Sequence, residues 1–278
     1  MTLSASAQMP DFTVVTDVRA GIHYSSRDSR GRFYDPFARM STVSLNLILE
    51  GFYVVHVSER FARIPGDSMG KQLESAYFEF PGVWRLGFID AKFGRNWLIR
   101  EYALGAEFRT YLLFDNLPIV IATLDDGLRR TRGVISRLGG KLGVSFATGD
   151  HFGASGTSLT SIRRPEDAPG IGRGYKLLLG VDAGTTLGDW KFAIEGVSLR
   201  NGQTSLDLDE DVIDAQVSYQ RTSTDPEFRV GYARALNARS NHIRAEIEYP
   251  LDQKMNLTGQ VRFDRGQRLF ALGLHLRF

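Results

Sequence analysis

From Val14 onward the chain repeats one signature, apolar side chains at every second position between glycine- and proline-bearing connections. The segment RLFALGLHLRF shows it most plainly: Phe270, Leu272, Leu274, Leu276 and Phe278 fall on one face, and Ala271, Gly273, His275 and Arg277 on the other. Period two is the pattern of a strand covered on one side only. A register slip of one residue would turn every apolar group to the wrong face, so the pattern fixes pairing as well as conformation. No stretch reaches the ~20 consecutive apolar residues of a membrane helix. Alternating strands of a barrel would escape a hydropathy scan altogether.

The alternation recurs at Val14–Ile22, at Val43–Leu49 with Tyr53–Val57, at Gln72–Phe80 with Trp84–Gly94, and at Thr131–Leu138 with Leu142–Phe146. It continues at Leu177–Ala183 with Trp190–Ile194, at Ile213–Tyr219 with Phe228–Tyr232, and at Ile243–Tyr249 with Met255–Phe263. Connections at 50–51, 81–83, 139–140, 187–188, 222–226 and 250–252 are short. Those at 26–39, 62–70, 95–130, 149–173 and 200–210 are mostly long, although 236–240 and 265–266 are tight. Segregation of turns and loops by parity is the plan of an up-and-down transmembrane barrel, and the spacing predicts about 14 antiparallel strands, with about 16 as the alternative. Short turns would face the periplasm and long loops the exterior.

Aromatic side chains divide in the same way. Trp84, Trp190, Phe80, Tyr249, Tyr219 and Phe278 fall near the short turns, and Tyr24, Phe61, Phe263 and Phe270 toward the loops. Two aromatic belts around an apolar band suit the two interfaces of a bilayer. With Lys and Arg numbering 34 against 32 Asp and Glu, the charge is nearly balanced, which argues against nucleic acid as a partner. The absence of cysteine removes disulfides, thiol chemistry and most zinc sites, and nothing implies a cofactor or metal.

Positions opposite the apolar set are polar or charged. Arg19, His56, Arg60, Glu79, Lys141, Lys176, Lys191, Arg229, Arg244, Glu246 and Arg262 are the predicted lumen lining. Such an interior is wet, because this many strands enclose more space than side chains fill. The connection 95–129 is the predicted constriction loop, folded into the pore. Arg95, Arg100, Glu101, Glu107, Arg109, Asp115, Asp125, Asp126, Arg129, Arg130 and Arg132 are its candidate constriction residues. Basic and acidic groups nearly cancel there, which predicts weak ion selectivity. The same segment also admits a further hairpin, 106–114 with 118–125, turning at Asn116-Leu117-Pro118.

LESAYFEFPGVWRLGFIDAKFG, followed by FDNLPIVIATLDDGLRRTRGVISRLGGKLGVSFATGDHFG, resembles the phosphate-selective porin family and its general-porin relatives. The resemblance spans residues 73–153 and sets Arg130-Thr131-Arg132-Gly133-Val134 on the family's Arg-x-x-Gly-Val strand start. It implies a porin-like diffusion channel with 95–129 as its constriction loop. The family usually has about 16 strands on a longer chain, and no basic ladder here supports phosphate selectivity. Family likeness also makes the closing strand (Phe270, Leu272, Leu274, Leu276, Phe278) the assembly signal that outer-membrane insertion machinery reads.

Ala5-Ser6-Ala7 reads as the small-residue cleavage box of a secretory signal, so 1–9 is expected to be a residual tail and 10–278 one barrel domain. Barrel-embedded hydrolases need a histidine joined to a serine or an acid. His23 and His242 lie toward the loop rim near Ser25, Ser26 and Asp28, but no motif joins them, and no catalytic residue is assigned. The expectation is an outer-membrane porin of a diderm bacterium for small hydrophilic or ionic solutes, monomeric or homotrimeric, with lipid as its surroundings. A non-channel barrel serving as adhesin or anchor is the alternative.

Overall fold

The computed structural model describes residues 11–25, 31–33, 42–49, 52–60, 73–95, 98, 100–111, 118–125, 132–152, 175–202, 208–264 and 267–277. They form one antiparallel sheet of 17 strand segments. In chain order these are β1 (Asp11–Ser25), β2 (Gly31–Phe33), β3 (Thr42–Leu49), β4 (Tyr53–Arg60), β5 (Leu73–Phe80) and β6 (Trp84–Lys92). There follow β7 (Arg100–Tyr111), β8 (Pro118–Asp125), β9 (Arg132–Gly139), β10 (Leu142–Phe152), β11 (Tyr175–Leu187) and β12 (Trp190–Gly202). The last five are β13 (Glu210–Tyr219), β14 (Glu227–Ala235), β15 (Ser240–Pro250), β16 (Met255–Asp264) and β17 (Gln267–Arg277).

Asp17 of β1 pairs with Arg277 of β17 on one side and with Thr42 of β3 on the other, so the first strand joins both ends of the meander. Closure satisfies the backbone groups that an open edge would leave bare in hydrocarbon. With the three-residue β2 set aside, 16 strands of eight or more residues remain. That even number matches the expected alternative of about 16 rather than the first figure of about 14. The extra pair comes from the predicted constriction loop: β7 and β8 pair with each other (Leu104 opposite Asp125, Arg109 opposite Val120) and with β6 and β9 in the wall. Residues 95–129 are therefore not one inward loop, and the hairpin alternative describes them better.

Alternation sorts the faces as the sequence predicts. Val144, Val181, Ile194, Val230, Leu272 and Leu274 are exposed on the outer face. Their register neighbours Ser145, Asp182, Glu195 and His275 are buried on the inner one. An apolar outside around a polar inside inverts the usual soluble arrangement and is what a bilayer requires. Near the short turns Phe52, Tyr53, Phe78, Phe80 and Trp84 form a continuous ring cluster, with Tyr53 stacked on Phe78 at 5.3 Å. Trp190 and Tyr219 make a second contact at 4.9 Å on the same rim. At the loop rim Phe263 and Phe270 are exposed on the outer face. The side chains of Tyr24, Phe61 and Phe278 and the residues of the cleavage box lie outside the described residues.

Candidate functional site

After Lys92 the chain leaves the wall and turns into the barrel. Phe93 and Leu98 are fully buried and join a cluster drawn from inner positions of β6 and β9–β14, including Ile89, Ile135, Leu178, Leu199 and Ala233. Gly94 donates its N–H to Ser145 Oγ at 2.9 Å and has φ +56, where a Cβ would also run into the Glu195 carboxylate. Gly180 leaves room for the Phe93 ring: a Cβ on it would lie 2.6 Å from Phe93 Cε1. Arg95 then places Nε 3.3 Å from Asp182 Oδ1 and donates from Nη2 to the Lys141 carbonyl at 3.5 Å. The segment thus passes over β7, β8 and β9 and anchors on β10–β12. Its described residues, Phe93–Arg95 and Leu98, are far fewer than those of the expected loop.

Three ionic networks line the inner wall. Arg137 donates to Asp182 at 2.9 Å, so this carboxylate holds two arginines. Between β5 and β7, Arg85 pairs with the buried Glu107, and Arg109 bridges Glu107 at 2.7 Å and Glu79 at 3.4 Å. Toward the seam, Arg229 reaches Glu246 at 2.8 Å and Glu248 at 3.2 Å, while Arg244 donates to Asp214 at 2.7 Å. Asn256 and His275 complete the Glu248 site, at 2.5 and 3.3 Å. Each carboxylate therefore accepts charge-assisted bonds, without which its burial would be costly.

Between the networks, β3–β5 carry a neutral patch. Ser44 donates to Ser58 at 3.0 Å, and His56 lies between Asn46 Oδ1 at 2.6 Å and Ser75 Oγ at 3.0 Å. An amide oxygen only accepts, so His56 donates from Nδ1 to Asn46 and presents Nε2 to the Ser75 hydroxyl. The imidazole stacks on Tyr77 at 4.6 Å, and Arg85 sits over the same ring at 5.3 Å.

Of the predicted constriction residues, Arg95 lies in the inward segment beside Asp182, and Glu107 and Arg109 belong to the wall network of β7. Arg100 and Glu101 begin β7, Asp125 ends β8 and Arg132 begins β9. Their side chains, like Asp115, Asp126, Arg129 and Arg130 altogether, lie outside the described residues. Among the lining residues, His56, Glu79, Arg229, Arg244, Glu246 and Arg262 take inner register positions, and Lys191 does so at an exposed site. Lys141 is exposed in the β9–β10 turn and Lys176 is exposed near the start of β11. Arg19 and Arg60 pair through their backbones opposite His275 and Thr42; their side chains are not described. Sequence reasoning did not find Phe93, Gly94 or Ser145 as site residues. The available signal was Gly180 and Gly184, inner positions of β11 on either side of Asp182, small residues that make room for an incoming segment.

No family model and no curated protein matches the chain. Solved structures do match over nearly its whole length. The loop-L8 deletion mutant of OmpT, an outer membrane protein of Vibrio cholerae, aligns with a TM-score of 0.66 at 11% identity, covering 98% of this chain and 100% of that one. The outer membrane channel DcaP of Acinetobacter baumannii aligns at 0.67 and 11% identity, covering 98% and 99%. An anion-selective porin from Comamonas acidovorans aligns at 0.62 and 13% identity, covering 97% and 100%. The fold is that of the outer-membrane porins.

Proposed function

We propose that the chain is an outer-membrane channel through which small hydrophilic or ionic solutes diffuse passively. The observation that carries this reading is the combination of an apolar outer face with a charged inner wall, against which Phe93, Arg95 and Leu98 fold inward on one side. The buried cluster occupies the side of β6 and β9–β14. Asn46, His56, Arg244, Gln260 and Arg262, on the other side, are partly exposed and set a polar route alongside it. Selection would come from charge and width at the inward segment, with no bond made or broken. The reading places the protein in lipid, inserted by the outer-membrane assembly machinery, and admits a homotrimer, a form recorded for the OmpT structure of Vibrio cholerae.

The test is conductance of refolded protein in planar bilayers together with swelling of liposomes in small sugars. Discrete steps and size-limited swelling are expected. A folded barrel that gives neither supports the plugged anchor instead.

A further inference from the structure

We infer that the lumen favours small anions, a selectivity that rests on the channel reading and is invisible in the near-equal count of charges. Its origin is the depth at which the two signs sit. At the inward segment the side chain of Arg95 is 25% exposed and that of Asp182 0%. Arg109 is 27% exposed over a fully covered Glu107, and Arg244 20% over Asp214 at 5%. Arg137 over Asp182 and Arg229 over Glu246 have the same order, while Arg229 and Glu227 are level. Among the described residues, these arginine–carboxylate pairs of the inner wall, the level one aside, thus form dipoles with the positive end toward water, whereas His275 lies deeper than Glu248, at 1% against 9%. Geometry explains the uniformity: a carboxylate on a short stem stays at the wall, whereas a guanidinium on a long one reaches over it.

A buried negative charge does not vanish from the potential, so the effect is dipolar, and narrow dimensions are what make it matter. Within a few ångströms of the wall a passing ion meets the guanidinium first, and the low-dielectric surroundings keep the field from being fully screened. Lys191, exposed on the inner register of β12, adds a further positive charge. Arginine forks match carboxylate and phosphate oxygens, so small organic acids and inorganic anions are the favoured solutes.

Reversal potentials across a potassium chloride gradient, in bilayers of zwitterionic lipid, test this directly; potassium acetate serves as the second probe. The expected sign marks chloride as more permeant than potassium by a few-fold, with acetate also above potassium. Preference should fade toward 1 M salt, where the Debye length shrinks to ~3 Å. The decisive variant is the double substitution Arg244→Gln with Asp214→Asn, which leaves net charge unchanged and removes one dipole. It should weaken the anion preference, and Lys191→Glu, at an exposed position, should weaken it independently. A potassium-favouring wild type overturns this inference while leaving the channel reading intact. Unchanged selectivity in both variants overturns it too. Absence of any conducting step from folded protein overturns the channel reading and this inference together.

Discussion

Arg95 meets Asp182 across the lumen, Nε to Oδ1 at 3.3 Å, although β6 and β11 are separated in the wall by four strands. This contact, with Gly94 on Ser145 and Phe93 on Gly180, holds the inward segment against the far wall. Asp182 is the keystone because Arg137 uses the same carboxylate.

Loosening that anchor should widen the route. Arg95→Ala is expected to raise single-channel conductance and its fluctuation while the barrel still folds. Asp182→Ala should cost more, up to about 3–5 kcal/mol, since it leaves two partly buried arginines without the carboxylate they share. Conductance traces with urea titrations in lipid separate the two. Unchanged conductance in Arg95→Ala would place the narrowing elsewhere.

Gly180→Val tests the seat of Phe93. Overpacking should cost about 1–3 kcal/mol and push the segment toward the axis. Reduced conductance in a folded variant is the outcome predicted. A variant as open and as stable as the parent would show that the ring does not rest there.

The outer face should reject charge. Leu274→Arg is expected to lose about 2–4 kcal/mol if it lies near the bilayer midplane. Lys191→Glu, at an exposed inner position, should leave folding almost unaffected. Equal losses for the two in lipid would contradict the assignment of faces.

Glu210 gives a prediction at the loop rim. This buried carboxylate accepts backbone N–H bonds from Asn237 at 2.8 Å and Ala238 at 2.9 Å and so pins the β14–β15 turn to β13. Glu210→Ala should cost about 1.5–3 kcal/mol for each bond left unmade. Faster proteolysis at 236–239 would accompany it; a turn that stays protected would argue against the pinning role.

Ser75, His56 and Asn46 stand in the order nucleophile, base, acceptor that acyl-transfer sites use. Ser75 is only 7% exposed, however, and its partners belong to a wall network. A fluorophosphonate is therefore expected not to label it. Labelling that disappears in Ser75→Ala would show chemistry that a passive channel does not need.

How far the sequence carried the structure depended on whether a segment obeyed period two. β14 and residues 270–276 of β17 alternate without exception, and their inner and outer positions followed at once. β8 did not: in Pro118–Asp125 apolar residues occupy both parities, so the stretch read as buried loop rather than strand. Proline at its first residue, where a strand tolerates one, concealed the start. The inward segment was hidden for another reason. Its partners Ser145, Gly180 and Asp182 are 50 to 90 or so positions away, and only closure of the wall brings them opposite Gly94, Phe93 and Arg95. Charge balance was read correctly as a count, yet depth, which decides what a solute meets, is not written in a count.

The pairing of β1 with β17 also limits how such a wall can change size. The two strands run antiparallel, Ala20 opposite Leu274 and Tyr24 opposite Phe270. Insertion or loss of one strand anywhere would reverse the direction in which the last strand returns, leaving the seam to join parallel edges with the wrong hydrogen-bond spacing. Growth and shrinkage of this architecture must therefore go by hairpins. A unit such as β7–β8 is the smallest piece of chain that can be duplicated or deleted without reopening the seam.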